Sequence, residues 1–122
     1  SRSKLLPKND YLIVEGAGGL YSPISTDGYN IDLIKKMKIP TVLVAKDEIG
    51  VINNILLSLD LLKKYKISVL AIILNKINSL QPNGMDNHKD MKSLTKIPLI
   101  QIGNTKTKNF KEFSKLLKII SI

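Results

Sequence analysis

Several residue types and patterns that support common functions are absent from this sequence. There is no cysteine, which excludes disulfide bonds and zinc sites with thiolate ligands. Aromatic residues form only 5% of the chain, too few to provide stacking platforms for single-stranded nucleic acid. No apolar run reaches the ~20 residues of a membrane-spanning helix, and the first residues lack the apolar core of a signal peptide. We therefore expect a cytoplasmic protein with no membrane partner.

The positive charge of the chain is almost entirely lysine. There are 19 basic and 10 acidic residues, a net charge of +9, and Arg2 is the only arginine. Nucleic-acid sites rely on arginine for bidentate contacts, and the lysines here are scattered. We therefore expect no nucleic-acid partner, although a positive field would favour small phosphorylated ligands.

Apolar runs and helical patterns alternate along the 122 residues. The apolar runs predict buried strands over Tyr11–Glu15, Thr41–Ala45, Val69–Leu74 and Pro98–Ile102. Helical spacing predicts helices over Asn30–Lys38, Gly50–Lys66, Met85–Lys96 and Lys108–Ile120. This alternation is typical of an α/β fold with a mostly parallel sheet flanked by helices. The length suits one domain or part of a larger one.

The helix predicted over Gly50–Lys66 carries two apolar stripes. The first contains Ile52, Ile55, Leu59 and Leu62, and the second contains Leu57, Leu61 and Tyr65. One stripe is enough to cover a sheet. The second indicates either deep burial within the domain or contact with a partner subunit.

The most informative motif lies at the end of the first apolar run. Glu15 ends that run, and Gly-Ala-Gly-Gly occupies positions 16–19. Ligands of open α/β sheets bind outside the carboxyl ends of the strands, and a backbone with few side chains can approach a phosphate closely. A carboxylate beside such a backbone suits Mg²⁺. A tight turn in which Glu15 caps a local N–H group explains the same residues, so both interpretations stay open.

Three segments together resemble the dethiobiotin synthetase family, the ATP-dependent ligases of biotin synthesis. They are VEGAGGLYSPI (Val14–Ile24), IGVINNILLSLDLLKK (Ile49–Lys64) and AIILNK (Ala71–Lys76). The likeness extends from about Asp10 to Lys76. It implies a P-loop NTPase-like fold in which residues 1–122 are the C-terminal part of a single domain.

The resemblance implies a nucleotide site that uses ATP and Mg²⁺. Glu15 matches a Mg²⁺ ligand of the family. Gly16, Ala17 and Gly18 match the backbone that meets the ATP phosphates, and Gly18 also faces the diamine substrate.

The resemblance implies further ligand contacts at two later positions in the chain. Asn75 matches the family's adenine-binding asparagine, and we include Lys76 beside it in the predicted nucleotide site. Gly50, Ile52 and Asn53 match positions that reach the carboxylate end of the substrate across a homodimer interface. This agrees with the second apolar stripe.

The family's reaction joins 7,8-diaminononanoate (diaminopelargonate) and carbon dioxide, and ATP activates the carbamate before ring closure to dethiobiotin. It needs a P-loop, and no Gly-x-x-x-x-Gly-Lys-Ser/Thr motif occurs here. We therefore expect that this half holds no catalytic residue, is inactive alone, and packs with its missing N-terminal half or with copies of itself.

Two alternative functions stay open. One is a P-loop-less, non-catalytic dimerisation or assembly module. The other is part of a cobyrinic acid synthase-like amidoligase, although that family continues into a glutaminase domain with a nucleophilic cysteine.

Other polar residues have structural interpretations. Asp47 or Glu48 is expected to cap the following helix, and His88 is expected on the solvated surface. Gly103 stands where the family has a proline that shapes the adenine loop, so the loop predicted at 103–105 departs from the family pattern.

Overall fold

A computed structural model describes residues 11–16, 18–76, 82–103 and 106–120. Its elements are, in chain order, β1 (Pro23–Ser25), β2 (Gly28–Tyr29), α1 (Asn30–Met37), β3 (Thr41–Lys46), α2 (Val51–Lys64), β4 (Val69–Asn75), α3 (Asn87–Leu94), β5 (Leu99–Ile102) and α4 (Lys106–Ile120). The last three strands form a parallel sheet in the order β3-β4-β5, and β1 pairs with β2 in a small antiparallel hairpin. This architecture confirms the predicted α/β class with a parallel sheet flanked by helices.

The main core lies between one face of this sheet and helices α2 and α3. Alternate residues of the strands supply the sheet side, and the helices supply Val51, Ile55 and Met91. The sheet contributes Ile72 and Leu74, with Leu43, Ala45 and Leu99 packed against the cluster. Helices α2 and α3 therefore cover the same face, as right-handed crossovers along one direction of the sheet require.

Local signals in the sequence set the helix ends. Asp32 accepts a hydrogen bond from the backbone N–H of Tyr29 at 2.9 Å, which pairs an N–H group at the start of α1. Lys38 ends α1 in the left-handed conformation. Asp86 caps α3 by accepting from the N–H of Lys89 at 3.1 Å.

The outer edge of β5 is occupied by side chains of α4. A carboxylate oxygen of Glu112 accepts from the N–H of Gln101 at 3.3 Å. Asn109 accepts from the N–H of Gly103 at 2.9 Å and donates to its carbonyl oxygen. These polar groups replace the partner strand that an edge would otherwise invite.

Glu112 is 8% exposed and also accepts a hydrogen bond from Lys115 at 2.9 Å. Burial alone would raise the pKa of Glu112. The hydrogen bonds from Lys115 and Gln101, with the positive charge of Lys115, outweigh burial and hold that pKa below its ordinary value.

The outer edge of β3 is different. The backbone N–H of Thr41 donates to the carbonyl of Ser68 at 2.8 Å, and the N–H of Asp47 donates to the carbonyl of Asn75 at 2.9 Å. Because N–H groups alternate in direction along a strand, those of the odd-numbered residues between them also face β4. The N–H groups of Val42 and Val44 consequently point away from β4. No strand pairs with that edge among the described residues, and the Val44 side chain is 61% exposed.

The strand predicted over Tyr11–Glu15 is wrong. The described segment is irregular, and its side chains are exposed, with Ile13 at 86%. A run of apolar residues forms a strand only where a neighbouring strand accepts its hydrogen bonds. Among the described residues, no strand pairs with this segment.

Helices α2 and α4 each leave large apolar side chains exposed. In α2, Ile55 and Leu62 are buried. In the second stripe Leu57 is 60% exposed, while Leu61 and Tyr65 are half-buried, so the described part of the chain leaves Leu57 uncovered. In α4, Phe110 and Phe113 also face outward. No helix in the described part of the chain is long and apolar enough to cross a membrane.

Candidate functional site

The glycine motif folds into a loop closed by a serine. Gly18 has a φ of +78°, and a Cβ atom there would lie 2.4 Å from the Ser22 hydroxyl oxygen. The N–H of Gly19 donates to that oxygen at 2.8 Å, and the N–H of Ser22 donates to the Gly19 carbonyl at 3.0 Å. Position 18 therefore accepts only glycine without strain, and the Gly19 N–H is already used within the loop.

The start of α1 holds the same loop. The N–H groups of Asn30 and Ile31 donate to the carbonyls of Ser22 and Leu20 at 3.0 and 2.9 Å. The side-chain amide of Asn30 donates to the carbonyl of Gly19 at 2.9 Å. Helix N–H groups that lack an intrahelical partner thus fix the loop in place.

Tyrosine side chains contact one another and a lysine where the loop meets helix α1. The ring of Tyr21 meets that of Tyr29 edge-on, with centroids 5.6 Å apart. Tyr65 at the end of α2 lies under the ammonium group of Lys35, 5.4 Å from its ring centroid. Burial raises the pKa of Tyr65, and Tyr21 and Asp32 raise it further.

Glu15 is exposed and directly precedes the loop. A carboxylate oxygen is a ligand type that Mg²⁺ prefers, and Mg²⁺ commonly takes one or two carboxylates together with phosphate oxygens and water. Within the described ranges, no group of three acidic, histidine or cysteine side chains could hold a metal ion. Glu15 fits Mg²⁺ as a single ligand that other oxygen donors would have to complete.

Other predicted residues gather at the carboxyl edge of the sheet. Asn75 ends β4 and is partly exposed, and Lys76 follows it with its N–H bonded to the carbonyl of Ile102 at 2.8 Å. Gly50, the N-cap of α2, has a φ of +87°, and open space surrounds the place where its Cβ would lie. Asn53 is exposed.

Ile52 lies beside those residues but its side chain packs against the core cluster. The structure therefore gathers the predicted residues in two groups, the loop of Glu15, Gly16 and Gly18 and the sheet edge. Ala17 and residues 104–105 of the predicted adenine loop lie outside the described residues.

Sequence reasoning missed a buried polar pair at this edge. Asp47 is 1% exposed and Asn87 is 6% exposed. The side-chain amide of Asn87 donates to Asp47 Oδ1 at 2.8 Å and to the carbonyl of Glu48 at 3.2 Å. The pair joins α3 to the loop before α2 across 40 residues of sequence, a separation over which no local motif operates.

The capping role expected for Asp47 or Glu48 is wrong. The N-cap of α2 is Gly50, without a side-chain hydrogen bond. The Asp47 side chain accepts a hydrogen bond from Asn87, and Glu48 forms an exposed salt bridge with Lys46 at 3.3 Å. His88, expected on the solvated surface, is half-buried.

A shallow groove occurs at the opposite, amino-terminal edge of the sheet. It is lined by residues that include Asp60, Lys63, Lys66, Val69 and Ile97. Because ligands of open parallel sheets bind at the carboxyl edge, this groove is not the candidate site.

The chain matches the model of an AAA domain family over residues 1–104, and it belongs to that family. Within this class it is similar to the ATP-dependent dethiobiotin synthetases, which confirms the resemblance seen in the sequence.

Three relatives document the similarity. The enzyme of Vesicomyosocius okutanii is 36% identical over 110 residues, which cover 89% of this chain and 50% of the relative. That of Ruthia magnifica is 36% identical over 92% of this chain and 52% of its own length. That of Campylobacter jejuni is 39% identical over 88% and 54%. The chain spans about half the length of these relatives.

Proposed function

We propose that this chain supplies the C-terminal half of an ATP- and Mg²⁺-dependent dethiobiotin synthetase. The complete enzyme would carboxylate 7,8-diaminononanoate with carbon dioxide and close the ring to dethiobiotin. The observation that carries the proposal is the loop geometry, in which Gly18 leaves no room for a side chain and the exposed carboxylate of Glu15 stands beside it. A backbone so bare admits phosphate oxygens at close range.

Each residue has a defined part in this proposal. Glu15 would hold Mg²⁺, which when bound neutralises charge on the ATP phosphates. Backbone atoms of residues 16–18 would orient those phosphates. Asn75 would read adenine, because its amide both donates and accepts, and Lys76 would lie beside the nucleotide.

The diamine site would be shared between subunits. Gly18 would face the diamine, and Gly50 and Asn53 would bind its carboxylate end across a homodimer. Ile52 would shape that end through its backbone, because its side chain packs inward.

The activity is tested by supplying the N-terminal half separately and measuring ATP-dependent formation of the cyclic urea. We expect no product from this chain alone and product from the two halves together. Glu15→Ala should abolish the complemented activity, whereas Asp60→Ala, which removes an exposed carboxylate near the opposite edge of the sheet, should preserve it. Full activity of Glu15→Ala would refute the metal role.

The dimer is tested at the exposed stripe of α2. Leu57 is 60% exposed, and Leu94 of α3 is a matched control at 53%. We expect Leu57→Lys to shift the chain toward monomer in light scattering after gel filtration, and Leu94→Lys to leave the dimer intact. Equal behaviour of both variants would contradict an interface at Leu57.

The missing half is proposed to join at β3. That edge has no strand partner among the described residues, and the apolar segment 11–14 is exposed. We expect the outward-pointing amide of Val44 to exchange rapidly with solvent in the isolated chain and slowly after the N-terminal half is added. The amide of Gln101, bonded to Glu112, should be protected in both states. Unchanged exchange at Val44 would exclude this mode of joining.

A non-catalytic assembly module is the second candidate, favoured by the exposed Leu57 stripe. It predicts a stable dimer whose elution and stability do not change with Mg·ATP, with or without the second half. Mg·ATP-dependent stabilisation of the complemented protein would exclude it.

A further inference from the structure

Asn30 contacts both ends of the glycine loop. Its side-chain amide donates to the Gly19 carbonyl at 2.9 Å. On the other side, a Cβ added to Gly16 would lie 3.6 Å from the carboxamide carbon of Asn30 and 3.7 Å from its nitrogen and oxygen. The bare face of Gly16 thus rests against the same carboxamide that holds Gly19.

The Asn30 side chain is enclosed by the fold. The residue is 7% exposed, and its backbone N–H is bonded to the Ser22 carbonyl at 3.0 Å. Polar groups so enclosed are nearly always paired, because leaving one unpaired is costly. The carboxamide therefore has one well-defined orientation, set by the helix on which it stands.

We propose that Asn30 is a positioning residue, which fixes the distance and orientation between Gly16 and Gly19 and so holds the backbone of Gly18 ready for phosphate. This inference rests on the proposed function, because it assumes that the loop meets a nucleotide. Asn30 does not touch the nucleotide itself. It acts through the carbonyl of Gly19 and the surface it offers to Gly16.

The test compares two buried amides. Asn30→Leu keeps the size of the side chain and removes its donor, and Asn87→Leu does the same to the buried amide that bonds Asp47. Both should lower stability, but only the first lies under the loop. Affinities for Mg·AMP-PNP and for 7,8-diaminononanoate are measured by calorimetry on the chain complemented with its N-terminal half, at a temperature where amide signals of β4 show every variant folded.

We expect Asn30→Leu to weaken Mg·AMP-PNP about tenfold, the factor that corresponds to one lost hydrogen bond of the loop. Affinity for the diamine should fall as well, because Gly18 of the same loop is proposed to face it, whereas Asn87→Leu should leave the nucleotide affinity unchanged. A purely structural role for Asn30 would instead lower the stability of the chain and leave the nucleotide affinity of the folded variant unchanged. Should Asn30→Leu unfold, Asn30→Asp provides the test, since it has the same size and an acceptor in place of the amide donor.

The outcomes separate this inference from the function on which it rests. If the unsubstituted complex binds nucleotide and Asn30→Leu binds equally well, or if Asn87→Leu is weakened as much, the positioning role is overturned and the proposed function stands. If the unsubstituted complex binds no nucleotide, both are overturned.

Discussion

The buried pair of Asp47 and Asn87 allows a prediction with a calculable magnitude. Asn87→Ala removes an amide that donates to Asp47 at 2.8 Å and to the Glu48 carbonyl at 3.2 Å. A hydrogen bond to a charged group contributes ~1.5–3 kcal/mol to stability. Asp47 has further interactions in the structure. We therefore expect a loss toward the lower end, ~2 kcal/mol.

Thermal unfolding measures this loss. With an unfolding entropy of ~2.1 cal/mol/K per residue, a chain of 122 residues unfolds with ~0.26 kcal/mol/K. A loss of ~2 kcal/mol then lowers Tm by about 8 °C. Asn54→Ala, at an exposed position of α2, should change stability by no more than ~0.5 kcal/mol, or about 2 °C.

A double-mutant cycle isolates the interaction itself. Asp47→Ala and Asn87→Ala should be coupled by at least ~1 kcal/mol, because they remove the two partners of one bond. Additive effects, or an Asn87→Ala variant as stable as Asn54→Ala, would show that the pair does not hold α3 to the loop before α2.

Two further predictions concern the glycine loop and the outer edge of β5, which side chains of α4 occupy. The new side chain of Gly50→Ala meets open space, so this variant should lose only the ~1–2 kcal/mol of a left-handed backbone. Gly18→Ala must also displace Ser22 from its bond to Gly19 and should lose more stability in urea unfolding. Equal losses of stability would contradict the close approach of Gly18 and Ser22. Because the pKa of Glu112 lies below its ordinary 4.5 in the folded chain, its contribution to stability is present at neutral pH and is lost as pH falls below that value. Glu112→Gln should therefore show a smaller fall in urea midpoint between pH 7 and about pH 3 than the unsubstituted chain, and parallel curves would refute the sign.

Periodicity predicted the helices well because it reports a local property. The helix expected over Gly50–Lys66 is observed over Val51–Lys64, and that over Asn30–Lys38 is observed over Asn30–Met37. In each, the apolar spacing and the terminal residues lie within the helix itself. The strands from 41, 69 and 98 onward were also predictable, because each has a neighbour in the same part of the chain.

Tyr11–Glu15 was not predictable in the same way. Its composition favours a strand, but a strand exists only when another strand accepts its hydrogen bonds. In the candidate site, too, the local motif was predictable and the contacts that support it were not. Gly18 and Glu15 were apparent from the motif, whereas the supporting contacts of Ser22 and Asn30 depend on how the loop folds back on α1.

The two edges of the sheet differ in a way that links folding to function. At β5, polar side chains of α4 occupy outward N–H and C=O groups, and such groups would be poorly placed if another strand had to dock there. At β3, the outward N–H groups have no strand partner in the described part of the chain, and Val44 on the adjoining face is 61% exposed. Exposed apolar area of this kind is unfavourable in water unless another surface covers it. This difference supports the proposal that the sheet ends at β5 and continues at β3. The proposed nucleotide site between Glu15 and the carboxyl edge would then form at the boundary where the proposed second half joins.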